Sequence, residues 1–336
     1  MNTAAADVFR KLQKAASRKG KPSGDWYIPA LDSAIQTLKN ESESYRPRDD
    51  RPYPGGLLDL QRDMPTIIVP DLHARTGFIL KLCSWTPAQD KTVLELLLDT
   101  ELQIVCVGDG VHSEARAADR WQKTVLEYAK KFKQHKHMDE EIRESFGLME
   151  MVMHLKSACP SHFHFLKGNH ENIANEDKEG NHPFRKFAFE GQMFKDYTQM
   201  FLGDDFFQKY YEFEKLLPIF VIGKNFLISH CEPRTFYPRD MLINYYDDPK
   251  VIEDLTWTDN DAAEEGSVQT MLRHYLPDQE GPVYYFGGHR PVNGTYNARA
   301  NGKYIQLHNP SRYIISYVRP GEVFNPEKDV IDITEN

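Results

Sequence analysis

Only four cysteines occur in 336 residues, and none forms a C-x-x-C pair, so neither a disulfide framework nor a thiolate zinc site is legible. Cys106 falls inside an apolar strand-like run, and Cys83, Cys159 and Cys231 are far apart; all four read as reduced thiols of a cytosolic protein. No apolar run approaches the length of a membrane span. The opening stretch, MNTAAADVFRKLQKAASRKGKPSGDW, has no apolar h-region and is not a secretory signal. Its Ala4 to Ser17 part reads as a short surface helix rather than a transit peptide, and the expected compartment is the cytoplasm. A basic surplus is missing too: 41 Lys and Arg against 50 Asp and Glu leave a net charge of -9. That balance argues against broad nucleic-acid binding, which needs cations to neutralise phosphates. There is no internal repeat and no low-complexity tract. What is present is an ordinary globular composition, 40% hydrophobic and 27% charged, enough for a sizeable core.

Along the chain, Ile28, Leu31, Ile35 and Leu38 recur at helical spacing and predict a helix over 28–39 that packs on the main body. The Pro-, Gly- and charge-rich YRPRDDRPYPGG then reads as an extended connector. Three regions follow from this: a helical extension and connector over 1–56, a motif-bearing domain over 57–318, and an acidic, loosely ordered tail over 319–336. Inside the domain, strand-like runs alternate with helical stretches, the pattern of an α/β layered fold. Trp121, Val125, Tyr128 and Phe132 mark one helical face, and Ile142, Phe146, Met149 and Met153 a second, with QHKHMDEE as the turn between them. His135 and His137 in that turn read as solvated rather than metal-binding.

Five blocks carry the chemistry, each an apolar run that ends in a metal-binding or proton-transferring side chain. They are TIIVP before Asp71 and His73, QIVCVG before Asp109, HFHFLKG before Asn169, His170 and Glu171, FLIS before His230, and VYYFGG before His289. A buried strand that delivers such a group at its C-terminal end places it at the rim of the sheet, where open α/β sheets bind ligands. Two carboxylates, three imidazoles and an amide at one rim make an oxygen- and nitrogen-rich pocket suited to divalent metals. Each block alone is weak, since an Asp at a strand end is often only a helix cap. The ordered series points to metal-assisted phosphate ester hydrolysis.

The series resembles the calcineurin-like metallophosphoesterases, and within them the phosphoprotein (Ser/Thr) phosphatase branch, over about residues 60–318. The matching stretches are PDLHA, GDGVHSE, KGNHE, SHCEP, DLTWTDND and GGHRPV. The resemblance implies an α/β fold, a β-sandwich of two mixed sheets flanked by helices in four layers (α/β/β/α). It implies two divalent metal ions, with manganese favoured over iron or zinc. Asp71 and His73 would hold the first ion, Asp109 would bridge both, and Asn169, His230 and His289 would hold the second. A hydroxide between the ions would attack a phosphate monoester, and His170 would protonate the leaving oxygen as general acid. Asn169 would also face the substrate phosphate.

Departures from the family pattern are specific. His112, Ser113 and Glu114 stand where the family has Asp-Arg-Gly, so the arginine that grips phosphate is missing. Arg75 and Arg234 rank first as replacements by their nearness to ligand motifs, with Arg116 and Arg290 behind them. His112 or Glu114 is expected to orient His170. Pro70 and Ala74 replace glycines and stiffen the first loop. Pro291 fills the place where other metallophosphoesterases carry a second histidine, and His308, after the strand-like KYIQL, reads as structural rather than as an extra ligand. The expected partner is a phosphorylated substrate, phosphoprotein or small phosphoester, with neither nucleic acid nor membrane. A nucleotide or dinucleotide-polyphosphate hydrolase is the alternative, because GHRPV resembles a motif of diadenosine tetraphosphatases. A non-catalytic metal-binding scaffold is the more remote reading.

Overall fold

The computed structural model of the chain describes residues 1–60, 63–87, 90–177, 181–277 and 281–334. In chain order, its strands are β1 (Leu57–Leu60), β2 (Thr66–Val69), β3 (Gln103–Cys106), β4 (Phe163–Phe165), β5 (Phe220–Gly223) and β6 (Phe226–Ile228). They continue with β7 (Tyr284–Gly287), β8 (Asn297–Arg299), β9 (Tyr304–Gln306), β10 (Ile314–Val318) and β11 (Val330–Asp332). They form a five-stranded mixed sheet ordered β11-β10-β2-β3-β4 and a six-stranded mixed sheet ordered β1-β5-β6-β7-β9-β8.

Side-chain alternation explains the layering. In β2 and β3, Ile67, Val69, Ile104 and Cys106 face one core, while Ile68 and Val105 face another. In β5, β7 and β9, Phe220, Ile222, Tyr285 and Tyr304 face a third core, while Val221, Phe286 and Ile305 join Ile68 and Val105. A strand apolar on both faces must be covered on both. The shared core therefore lies between the sheets, and helices cover each outer face. Helices α1 (Thr3–Ala16), α2 (Gly24–Lys39), α3 (Thr76–Ser84), α4 (Val93–Leu98), α5 (Ala118–Ala129), α6 (Lys136–Ala158), α7 (Glu190–Phe201) and α8 (Asp204–Lys215) cover the five-stranded sheet. The other sheet is covered by α9 (Arg239–Ile243), α10 (Pro249–Thr256) and α11 (Ser267–Tyr275). The four-layer α/β/β/α architecture expected from the motifs is observed.

Three features go beyond the sequence reading. The α1 and α2 helices both pack on α6 and share its core, so the 1–56 segment is built into the body. The connector is anchored by Arg46, fully buried, whose guanidinium donates to the carbonyls of Gly55 (2.8 Å) and Leu216 (2.6 Å) and pairs with Glu41. The segment after Pro320, expected to be loose, instead forms α12 (Pro326–Asp329), capped by the Asn325 side chain, and then β11 on the edge of β10. Burial of Phe324, Val330 and Ile333 holds it there despite its acidic composition. His135 immediately precedes α6 and bonds Asp139 at 2.7 Å, and neither it nor His137 joins a metal-type cluster among the described residues. No helix among the described residues is long and apolar enough to cross a membrane.

Register brings the chemistry together. β2, β3 and β4 run parallel, as do β6, β7 and β9, with Val69 opposite Cys106, Ile228 opposite Phe286, and Gly287 opposite Gln306. Their C-terminal ends meet at one rim.

Candidate metal centre

The strand ends are bent sharply at the residues of interest. His73, Ala74, Asp109, His112, Glu114 and His289 all have φ between 41° and 74°, a left-handed backbone that non-glycine residues rarely adopt. Such strain persists where surrounding bonds over-determine it, and it concentrates at functional sites. Here Leu72 and His73 both donate N–H to the Asp109 carbonyl, and Ala74 donates to that of Gly110. Glu171 accepts from the N–H groups of Gly168 (2.7 Å), Asp109 (2.8 Å) and Gly110 (2.9 Å). It ties the loop after β4 to the loop after β3. Two glycines are required by close approach: a Cβ on Gly288 would lie 1.9 Å from Asp71 Oδ1, and one on Gly168 2.3 Å from Asp109 Oδ1.

All six expected metal ligands converge. Asp71, Asp109 and His230 place ligand atoms within 4.8 Å of one another, and all three are buried. His230 Nδ1 donates to the Val107 carbonyl at 3.0 Å, which turns Nε2 toward Asn169 Oδ1 (2.9 Å) and Asp109 Oδ2 (3.5 Å). His289 Nδ1 lies 3.1 Å from the same Asn169 oxygen, and its backbone N–H donates to Asp71 Oδ2 at 2.9 Å. His73 Nδ1 donates to the Val111 carbonyl at 3.3 Å, leaving Nε2 3.7 Å from Asp109 Oδ2 and 4.0 Å from Asp71 Oδ2. A backbone carbonyl thus fixes the tautomer of His73 and of His230, and each free nitrogen faces the carboxylates.

The electrostatics follow from burial. Burial pushes the His73 imidazole down to about 3, outweighing the nearby carboxylates of Glu114 and Asp71. It also lowers His230, and it sends His170 and His289 well below the ordinary histidine range. The Asp109 carboxyl is driven well above its ordinary value by burial, by Asp71 and by Glu171. Neutral imidazoles with free nitrogens around paired buried carboxylates lack a counter-cation. His289 Nε2 is buried with no hydrogen-bond partner among the described residues. This donor set fits divalent ions of the Mn, Fe or Zn kind.

Sequence reasoning missed part of the surroundings. His308, read as structural, follows β9 and forms a buried group with Asp71 and His73 whose ligand atoms lie within 4.8 Å of one another. Glu114 Oε2 sits 3.1 Å from His308 Nε2 and 3.5 Å from His73 Nε2, and its Oε1 accepts from Lys186 at 2.8 Å. Burial alone would raise the Glu114 carboxyl, but His73, His308 and Lys186 hold it far below the usual range. The only advance signal at Glu114 was its place in GDGVHSE; Lys186 gave none.

Expectations for the supporting residues divide. His170 lies at the rim with Nε2 3.7 Å from Asp109 Oδ2, and its backbone N–H donates to Asp109 Oδ1 at 2.9 Å. Its ring stacks on Phe184, with centroids 4.5 Å apart and planes 15° apart. Glu114 is engaged by His308 and Lys186 instead, and His112 approaches His170 ring against ring at 5.1 Å with both its nitrogens unpartnered among the described residues. Neither orients His170 by a hydrogen bond; the aromatic stack does.

Arg75 is not brought to the pocket. Its guanidinium is buried and donates to the carbonyls of Leu72, Asn309, Arg312 and Asp71, because chain proximity placed it under the loop rather than over it. Arg234 is half-exposed with its guanidinium 3.8 Å from Asp254. Arg290, beside His289, pairs with Asp259, and Arg116 bonds Glu144 and the carbonyls of His73 and Ala74.

No protein-family model matches the chain, and no curated protein matches it in sequence. Solved structures do. A protein serine/threonine phosphatase from Saccharomyces cerevisiae with similarity to human phosphatase PP5 aligns over 93% of this chain and 89% of its own, at 13% identity and a TM-score of 0.55. A candidate diadenosine tetraphosphatase aligns over 83% and 98%, at 14% identity and a TM-score of 0.43. The cold-active protein-tyrosine phosphatase of a psychrophile Shewanella species aligns over 78% and 77%, at 10% identity and a TM-score of 0.47. The likeness to the first is one of fold: two mixed sheets flanked by helices, the α/β architecture that the sequence resemblance implied.

Proposed function

We propose that the chain is a dinuclear-metal phosphoesterase that hydrolyses phosphate monoesters. One observation carries this reading: paired buried carboxylates, Asp71 and Asp109, ringed by inward-facing imidazole nitrogens and the Asn169 oxygen, with no protein cation among the donors. Asp71 and His73 would hold one ion, Asn169, His230 and His289 the other, and Asp109 would serve both. When bound, two such ions supply a nucleophile at neutral pH and stabilise the charge that develops on the phosphoryl oxygens.

The chain's own groups do the rest. His170 is the general acid for the leaving oxygen, since it lies beside the donor set, is anchored through its backbone to Asp109, and is held by Phe184. Asn169 presents its amide at the same rim. The phosphate still needs cationic donors. With Arg75 committed to carbonyls, Lys186 takes first place, because its side chain is 42% exposed and its ammonium is already paired with Glu114 beside His73 and His308. Arg234, with a half-exposed side chain, stands second.

A cavity of about 540 Å³ favours a refinement of substrate class. Its walls include Phe184, which stacks on His170, and Trp257, whose ring lies edge-on 6.3 Å from His289. Tyr128 and Phe189 add to the aromatic lining, and Arg185, His182 and Asp177 make its polar part. Such a wall suits a planar leaving group, a phenol or a nucleobase, over an aliphatic alcohol. A nucleotide or dinucleotide-polyphosphate hydrolase is the second reading on that ground.

The test is a substrate panel run on metal-stripped protein reloaded with manganese: para-nitrophenyl phosphate, phosphoserine and phosphotyrosine peptides, and dinucleotide polyphosphates. Manganese-dependent release of phosphate from monoesters supports the proposal. Cleavage of dinucleotides alone would move it to the second reading, and metal binding without any turnover would make the chain a scaffold.

A further inference from the structure

We infer that His308 is a ligand of the first metal ion, completing the set begun by Asp71 and His73, with Glu114 fixing its imidazole from behind. This deepens the two-metal reading and rests on it.

The imidazole of His308 is fully buried at the end of β9, the strand beside β7. Its Nε2 lies 3.1 Å from Glu114 Oε2, a hydrogen bond in which the ring N–H donates to the carboxylate. Its Nδ1 points the other way, 3.6 Å from Asp71 Oδ2, and has no hydrogen-bond partner among the described residues. An unpaired buried nitrogen is costly, so a histidine kept only for packing normally has both nitrogens satisfied or one in solvent. Here one nitrogen is anchored and the other is left facing a carboxylate that a second imidazole, His73, also faces. A cation between them resolves the arrangement. A carboxylate behind a ligating imidazole is also what metal centres use to fix the tautomer and raise basicity.

The loop geometry points the same way. Arg75 bonds the carbonyl of Asp71 and, through a second nitrogen, those of Asn309 (2.7 Å) and Arg312 (2.9 Å). It joins the loop that carries Asp71 to the loop that carries His308, and so sets their separation. A second imidazole makes the first ion's donor set nitrogen-rich, which shifts preference from manganese toward iron and zinc.

The experiment titrates metal-stripped full-length protein with Mn(II) and, separately, with Zn(II), following heat by calorimetry and bound metal by elemental analysis. Wild type, His308→Ala, Glu114→Gln and His289→Ala are compared, and the apo-protein melting temperature reports whether each variant folds. Wild type is expected to take up two ions. His289→Ala should weaken one class of site, and His308→Ala the other, by at least about tenfold, the lower end for losing a supporting group. The His308 loss should be larger for Zn(II) than for Mn(II). Glu114→Gln keeps an acceptor for Nε2–H and should weaken the same site about tenfold; it decides the matter if His308→Ala does not fold. Two ions bound to both variants with wild-type affinity would overturn the assignment and leave the two-metal reading intact. Failure of wild type to bind either metal would sink that reading, and this inference with it.

Discussion

His230 Nε2 and Asn169 Oδ1 stand 2.9 Å apart, while the Val107 carbonyl takes the proton of the other ring nitrogen. With the amide oxygen on that side, two acceptors face each other inside the protein. That contact is unfavourable until a cation shares it. Metal binding should therefore stabilise the fold. A ligand at one hundred times its dissociation constant contributes about 2.7 kcal/mol. For a chain of this size the melting temperature of stripped protein should rise by about 4 °C for each ion bound on adding saturating manganese. Differential scanning calorimetry with calcium as the control checks this; an equal response to calcium would speak against a nitrogen-lined site.

His170 should be separable from the ligands. Replacing it with Asn is expected to lower kcat by about 10²–10⁴-fold, the usual range for a general acid, while the metal content stays at the wild-type value. The loss should shrink on para-nitrophenyl phosphate, whose leaving group needs little protonation. Equal losses on that ester and on an alkyl phosphate would remove His170 from the proton-transfer role.

Arg75 and Lys186 should behave in opposite ways. Arg75→Ala leaves buried carbonyls without their donor and should destabilise the protein by about 2–4 kcal/mol in urea denaturation. Lys186→Ala should leave stability within about 0.5 kcal/mol but raise KM by about tenfold, the low end for losing a charge-assisted hydrogen bond. A stable Arg75→Ala with a raised KM would reverse these assignments.

Much of this was legible in the sequence for a plain reason. A short apolar run ending in Asp, Asn or His states both the element and the end at which its chemistry lies, and Asp71, Asp109, Asn169, His230 and His289 all met at one rim. Arg75 was misjudged because nearness along the chain gives position but not direction: two residues past His73 the backbone turns into α3, and the guanidinium folds beneath it. His308 was read as structural because its partners, Asp71 and Glu114, come from distant loops that the β7–β9 pairing brings close. The segment after Pro320 was taken as loose on its charge, yet Phe324, Val330 and Ile333 supply enough apolar surface to dock it as α12 and β11.

The N-terminal segment should prove inseparable from the body. Glu41 is buried against Arg46 and Lys156. Burial alone would raise its carboxyl, but Lys156, Arg46 and His164 hold it at about 2, while burial shifts the Lys156 ammonium downward. A carboxyl held below its unfolded value, near 4.3, stabilises the fold above that pH and loses the contribution as pH falls toward 2. Glu41→Gln, which leaves two buried cations short of their partner, should cost about 3–5 kcal/mol at pH 7. Its stability should vary less than wild type between pH 4.5 and 2, by urea titration at several pH values. An unchanged acid limb would mean that Glu41 does not set it.

The decisive assay is hydrolysis of para-nitrophenyl phosphate by wild type and Asp109→Asn, each stripped of metal and reloaded with manganese. Asp109 faces both donor sets, 3.7 Å from His73 Nε2 and 3.5 Å from His230 Nε2, so neutralising it should weaken both ions at once. Wild type should turn over only when reloaded, and the variant should lose at least about a hundredfold with lower metal content. Manganese-independent turnover by wild type, or a variant within about threefold of it, would contradict a shared carboxylate at a two-metal centre.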